Sequence, residues 1–420
     1  MNIFKDIEIG KIEVMTIRFD RKIIEPFTVI ILPDNVRIND YNYSNHNVKN
    51  FFYNNFVDIS LANPENENKI KVQDGIYFWR NIDIYEFLKY FYQTNNITQE
   101  WDFLYDGKNN FSNNLYLLRN TSYSAVFIEE NVFDIANLAE YIEIAHYMGC
   151  NFYFDTGLSK SIQWVEQQIQ VARTFLDGYE KKFMFFAINM PFNTKQTAQV
   201  NIPLDTMNVF ITAGYTSIYS PIRYEREYRN SLGDINTIRP YDVVAYLPIS
   251  SLYAVMIMNK YETETAYKPI INKVVSVVTY GVDKVYSRDE IDFMKNKSIN
   301  APYLKNSIIT FLSDVTTLYR YNSTSVLAHE NIMRLSLDIA RELTYLLMPI
   351  VGENKKDEEI SSIIQSVRNY ISNNILYMSD VNPSDLEITF NRTNDNKIKI
   401  DIIYKAPKTI EKINLVTIYF

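Results

Sequence analysis

One cysteine, Cys150, stands in 420 residues. That excludes an intrachain disulfide and any centre built on several thiolates. Glycine is scarce as well, 10 residues where about 7% of a chain is usual. The spacings G-x-x-x-x-G-K-[ST], G-x-G-x-x-G and G-x-S-x-G do not occur, so neither a glycine-rich phosphate cradle nor a nucleophile elbow is expected. Histidine is limited to His46, His146 and His329, and none has a second histidine or a cysteine at metal-ligand spacing. No metal and no cofactor is expected. Long apolar runs are also missing. The longest, residues 243–258, is interrupted by Pro248, Ser250 and Ser251 and is too short and broken to span a bilayer. Residues Met1 to Asp6 show no basic segment leading into an apolar one, so no signal peptide is expected. The reading is a protein kept in a cytoplasm, or in a particle assembled there, without direct membrane insertion.

What is present fits a globular protein of two to three domains, with 47% hydrophobic and 22% charged residues. A net charge of −8 gives no global electrostatic reason to bind nucleic acid. The mixed stretch Arg223-Tyr224-Glu225-Arg226-Glu227-Tyr228-Arg229 sets two glutamates against three arginines. It reads as a solvated loop or an interface segment rather than a single-strand groove. Abundant asparagine and tyrosine read first as an AT-rich genome.

Periodicity divides the chain. Residues 1–32 read as N-terminal strands or an arm, with alternation around Val14 and an apolar run from Phe27 to Leu32. Residues 33–125 are asparagine-rich and read as a peripheral, loop-rich, surface-facing region, with a helix over 84–92. Residues 126–330 read as an α/β core. Helices are expected over 135–148 and 161–176, a short strand over 152–154, and a buried strand over 182–190. Residues 331–420 read as a separate α+β unit. Its first helix is expected to begin near Ser325, with Ala328, Ile332, Leu335, Ile339, Leu343 and Leu346 on one face. Glu330, Arg334, Asp338 and Arg341 fall on the other, polar face, where Glu330 and Arg334 are spaced to pair. The second helix opens with Asp357-Glu358-Glu359, carboxylates suited to a helix N-terminus, and buries Ile360, Ile363, Ile364, Val367 and Ile371. Strands are expected over 397–402 and 413–420. The last needs a partner, which another chain can provide.

One string invites a catalytic reading. Asp155-Thr156-Gly157 resembles the catalytic loop of aspartic proteases, whose chemistry needs two carboxyls sharing a proton. No second Asp-Thr-Gly or Asp-Ser-Gly occurs. The favoured reading is a strand end that turns at Gly157 into a helix capped by Ser159 or Ser161. Cys150 reads as a small buried hydrophobe.

The order of features from Leu247 to Phe420 adds a resemblance. Leu247-Pro248-Ile249-Ser250 precedes an apolar stretch from Leu252 to Met258, followed by Ala266-Tyr267-Lys268-Pro269 and Asn272. Then come Val274 to Val278, Ser287 to Met294, Ile299-Asn300-Ala301-Pro302-Tyr303, Ser307 to Leu312 and Thr317-Leu318-Tyr319-Arg320. The helix around Glu330 to Leu335 and a final Ile418-Tyr419-Phe420 close the series. This succession resembles the C-terminal part of contractile phage tail sheath proteins. It differs at Leu312-Ser313, where tryptophan-glycine often follows the strand, and at Met333-Arg334, where the family doubles an arginine.

The resemblance implies a non-enzymatic subunit of a bacteriophage tail that polymerises around a tail tube and contracts, without nucleotide, in genome ejection. Implied partners are further copies of the chain, the tube protein, and baseplate and tail terminator proteins, with no nucleic acid. The implied location is the virion tail, after assembly in the host cytoplasm. The implied architecture is the α/β core with a C-terminal α+β domain facing the tube and terminal strands exchanged between subunits. Ile413, Leu415, Ile418 and Phe420 are the candidates for that exchange. Lys355, Lys356 and Glu358, at the start of the second C-terminal helix, are the candidates for facing the tube. The alternatives are another tail or baseplate structural protein, and a hydrolase using Asp155.

Overall fold

The computed structural model describes residues 23–32, 57–58, 69–73, 75–79, 123–158, 161–177, 182–190, 199–200, 202, 206–219, 226–229, 235–238, 244–273, 281–305, 308–347, 356–394 and 397–405. Its frame is a mixed sheet. Strands β1 (Pro26–Leu32), β2 (Val57–Asp58), β3 (Lys69–Gln73), β4 (Ile76–Trp79), β5 (Ser124–Glu129), β6 (Phe152–Phe154), β7 (Phe185–Met190), β8 (Val209–Ala213) and β14 (Ile299–Asn300) lie in the order β14-β8-β7-β6-β1-β5-β4-β3-β2. From β14 through β5 every pair is parallel, while β4 meets both β5 and β3 antiparallel. The parallel strands follow the doubly wound order 2-1-3-4-5-6, with the reversal between β1 and β6.

Parallel strands are joined by crossovers that cover both faces, so their sequences are apolar without a polar side. Successive residues of one strand therefore serve two cores. Phe152 and Phe154 point to one cluster and Tyr153 to the other; Phe185 and Ala187 separate from Phe186 and Ile188 in the same way. On one face pack α1 (Leu138–Tyr147), α2 (Ile162–Asp177) and α4 (Arg288–Asn296) through Ile142, Ile169 and Met294. On the other lies α3 (Ile249–Glu262), which follows directly on β12 (Val244–Pro248) and is buried from Ile249 through Met258. A helix apolar on all sides has no solvated face to offer. Phe210 and Tyr253 stack beneath it, ring centroids 4.2 Å apart.

Smaller ladders complete the body. The strand β9 (Tyr215–Tyr219) pairs with β12 and with β13 (Gly281–Val282). Between β9 and β12, β10 (Arg226–Arg229) pairs with β11 (Ile235–Ile238), in a register one residue from that of β9 and β12. The strands β15 (Pro302–Lys305) and β16 (Ile308–Phe311) form a further hairpin. The C-terminal unit holds α5 (Glu330–Leu347), α6 (Asp357–Asn374) and the ladder of β17 (Glu387–Asn394) with β18 (Lys397–Ile403). A third core joins these elements, with Leu335, Ile339 and Leu343 facing Ile364, Val367 and Ile371.

Several expectations are corrected. Residues 69–79, expected in the peripheral region 33–125, supply β3 and β4 to the main sheet, with Ile76, Tyr77 and Phe78 buried. The alternation of Lys69-Ile70-Lys71-Val72 and the continuous apolar run from Ile76 to Trp79 outweigh the polar composition around them. Residues 26–32, expected among N-terminal strands or an arm, do form a strand, and it lies at the centre of the main sheet, paired on both sides. Of the stretch expected to be a solvated loop or an interface segment, Arg226–Arg229 form a hairpin strand rather than a loop, and residues 223–225 lie outside the described residues. The first C-terminal helix begins at Glu330 rather than Ser325, because a 3₁₀ turn over Val326–Ala328 is followed by extended His329. That residue bridges to Val315, and Glu330 N donates to Asp314 O at 2.8 Å. The expected strand within residues 5–20 and the helix over 84–92 lie outside the described residues.

Candidate functional site

In a doubly wound sheet, ligand chemistry belongs at the carboxyl ends of the strands beside the reversal of order. Asp155 stands there, directly after β6, and is fully buried. Its Oδ1 accepts from the backbone N–H of Gly157 (2.8 Å) and Leu158 (2.7 Å). Its Oδ2 faces Gln168 Nε2 and the Asn189 N–H, both at 3.4 Å. Gly157 supplies the turn with φ +113, a conformation few other residues tolerate. Ser161 then caps α2 through Trp164 N–H, as the sequence suggested. Around this turn, Thr28 and Thr156 hydroxyls meet at 3.1 Å, Thr212 Oγ1 donates to Asn189 Oδ1 at 3.0 Å, and Tyr153 donates to Gln168 Oε1 at 3.0 Å. Ser250, at the start of α3, donates to the carbonyl of Asp155. The start of α3 is thus bonded to this turn, and the polar groups named here bond one another, while Asn189 Nδ2 is buried without a hydrogen-bond partner. Asp155 is a turn-former here, with no second carboxyl against it in these contacts.

The other polar cluster is larger and was misplaced by periodicity. Arg334, Glu330, Asp338 and Arg341 on α5 are all buried, because α5 packs on both sides. Met333 and Leu337 reach the sheet core while Leu335 and Ile339 reach the C-terminal core. Arg334 Nε donates to Glu330 Oε2 at 2.6 Å and Nη2 to Ala266 O at 2.7 Å; Tyr253 OH donates to the same carboxylate oxygen at 2.9 Å. The guanidinium also lies over the rings of Tyr261 and Tyr267, 5.9 and 5.8 Å from their centroids. One turn on, Asp338 Oδ2 accepts from Tyr261 and Tyr267 hydroxyls, each at 2.6 Å, and Oδ1 from Arg341 Nη1 at 2.7 Å. Burial first, and the Asp338 carboxylate second, push both phenols above their ordinary range, so both stay donors. Burial, the largest single influence, would by itself depress Arg334; the Glu330 carboxylate together with Tyr253 and Tyr261 outweighs it and holds the guanidinium charged. The arrangement bolts residues 261–267, at and just beyond the end of α3, to the helix that carries the C-terminal unit.

His329 Nδ1 lies 2.9 Å from Asp314 Oδ1, a pair fifteen residues apart that helical spacing could not reveal. Cys150 is buried. Among the described residues, no group of three or more His, Cys, Asp and Glu is placed to hold a metal ion, and no helix is long and apolar enough to cross a membrane. Of the residues chosen from the sequence, Lys356 and Glu358 are exposed at the start of α6, where Lys356 N–H donates to Glu359 Oε2 at 2.9 Å. They are not brought near the α5 cluster by any bond. Lys355, Ile413, Leu415, Ile418 and Phe420 lie outside the described residues. The signal that could have exposed the α5 cluster was Met333 with Leu337, a second apolar pair four apart on its supposedly polar side.

No protein-family model matches the chain, and no curated protein does. Solved structures match it over nearly its full length. The helical sheath of the anti-feeding prophage, in its contracted state, aligns with 94% of this chain and 92% of its own at TM-score 0.58 and 12% identity. The PVC sheath complex of an extracellular contractile injection system, also contracted, aligns with 94% and 91% at TM-score 0.58 and 8% identity. The chain has the fold of a contractile-sheath subunit. A chain of the anti-feeding prophage baseplate matches too, over 74% of this chain and 80% of its own, at TM-score 0.53 and 14% identity.

Proposed function

We propose that this chain is the structural subunit of a contractile sheath, polymerising around a tube in a phage tail or a related injection particle. The observation that carries the reading is the full-length likeness to two sheath subunits. One feature is consistent with it: β17 and β18 each pair only with the other among the described residues. A two-stranded ladder has edges to lend. We place exchanged strands at 409–420, with Ile413, Leu415, Ile418 and Phe420 facing a neighbour's sheet, and the C-terminal unit towards the tube. Partners are then further copies, the tube, and baseplate and terminator proteins; the location is the tail of the particle.

The test is the mass of the purified chain by size exclusion with light scattering, beside a version lacking 409–420. The full chain is expected as large polymers or rings and the truncated one as a folded single subunit. Polymers of unchanged size after truncation would sink the exchange. A second reading, a baseplate component on the same fold, is favoured by the baseplate match, and a single closed ring that never extends would support it. For the tube-facing surface, Lys355→Glu with Lys356→Glu is expected to weaken co-assembly with tube several-fold at low salt and little at high salt. A salt-independent result would return these lysines to a plain solvated helix start.

A further inference from the structure

Successive carbonyls just beyond α3, those of residues 266–269, accept from side chains. Arg334 Nη2 donates to Ala266 O at 2.7 Å and Asn331 Nδ2 to Tyr267 O at 3.0 Å. Lys260, in the last turn of α3, donates through Nζ to Lys268 O and, at 3.4 Å, to Pro269 O. The helix α5 thus holds the first part of this turn, and α3 holds the second through one amine. Lys260 is half-buried, while Lys268 and Lys273 are exposed. Its amine shares this corner with two other cations, Arg334 and Lys273, and with the Glu330 and Asp314 carboxylates. Burial lowers it most; with the two cations it outweighs the carboxylates and brings Lys260 down to about 8. At neutral pH a group titrating there is about one-tenth free base, where an ordinary lysine is roughly 0.04%. A free amine has two N–H bonds, and the carbonyls of Lys268 and Pro269 can take both. The lone pair is then the direction left open. Desolvation and a neighbouring cation are what turn a lysine into a nucleophile.

We propose that Lys260 is a modification site, an amine that takes an acyl group from an activated donor of the acyl phosphate class and thereby loosens the turn 263–269. The Nζ lone pair attacks the acyl carbon and an N–C bond forms. The bond from that carbon to the phosphate oxygen breaks, phosphate leaves with the electron pair, and the nitrogen loses a proton to water. The product amide is uncharged and keeps a single N–H, so at least one of the two carbonyls loses its donor. Residues 268 and 269 are then released from α3, while Arg334 and Asn331 still hold 266 and 267. The site goes beyond the sheath reading, because the chemistry belongs to the single subunit.

The experiment treats the full chain, held dilute, with acetyl phosphate from neutral to alkaline pH and follows acetylation of each lysine by peptide mass spectrometry. Lys260 is expected to react about tenfold faster than Lys268 and Lys273 at neutral pH, and its rate to level off above about pH 8 while theirs goes on rising. In denaturant the preference is expected to vanish, since it comes from the folded surroundings. Lys273→Met removes one of the two cations and is expected to slow Lys260 about two- to threefold at neutral pH. After acetylation, the amides of 265–268 are expected to exchange hydrogen about tenfold faster, while residues 185–190 keep their protection. If Lys260 is among the slowest lysines, or its rate rises in step with the exposed ones, the site is overturned. If it reacts first but exchange at 265–268 is unchanged, the loosening of the turn is overturned.

Discussion

Replacing Arg334 with methionine is expected to lower the unfolding free energy by about 3–5 kcal/mol, because the change leaves a buried carboxylate without its cation. Glu330 is wholly enclosed, and its bonded oxygen is shared by Arg334 at 2.6 Å and Tyr253 at 2.9 Å. Methionine matches the length of the side chain but donates nothing to Glu330 or to the Ala266 carbonyl. The size of the loss comes from the stranded charge, not from the worth of the pair. Arg334→Met with Glu330→Leu is therefore expected to recover most of the loss. Denaturant unfolding of the unaltered chain and the two variants measures this. A double variant as unstable as Arg334→Met alone would contradict it.

Asp155→Ala is the second large effect, about 3 kcal/mol or more, since each buried donor left unpaired costs ~1–3 kcal/mol. Two N–H groups, of Gly157 and Leu158, lose a short bond at once, and the amide groups of Gln168 and Asn189 lose a longer one. Asp155→Asn keeps an acceptor oxygen for the turn and is expected to cost about half as much. The asparagine variant also separates the structural account from a hydrolase. A hydrolytic activity abolished by Asp155→Asn in a protein of unchanged assembly would return the residue to chemistry.

Elements whose signal is local were legible. Phe152–Phe154 emerged as a strand of the expected length and α2 within a residue of its expected ends, because a short apolar run and a 3.6-residue stripe need no distant partner. The capping box of α4, Ser287 with Glu290, is equally local. What stayed hidden depends on distant packing. Tyr267 and Tyr261 reach Asp338 across more than seventy residues, and no spacing rule encodes that meeting. Nor could polarity alone separate a solvated face from a buried one on α5, because Arg334 and Asp338 are tolerated inside only through partners on other elements. The strands β3 and β4 were missed because the surrounding asparagine-rich stretch set the composition of the window, while the alternation of β3 and the apolar run of β4 each cover only a few residues. The strand-end turn at Asp155 was read correctly because Asp-Thr-Gly is a turn by its own chemistry.

The central claim is that this fold serves as a polymerising sheath. Electron microscopy of the purified full-length chain, at neutral pH and concentrations rising into the micromolar range, tests it directly. The account predicts hollow tubes or stacked rings of one diameter, wide enough to admit a tube and built from repeating subunits. A field of dispersed single particles at every concentration, with or without an added tube, would contradict it.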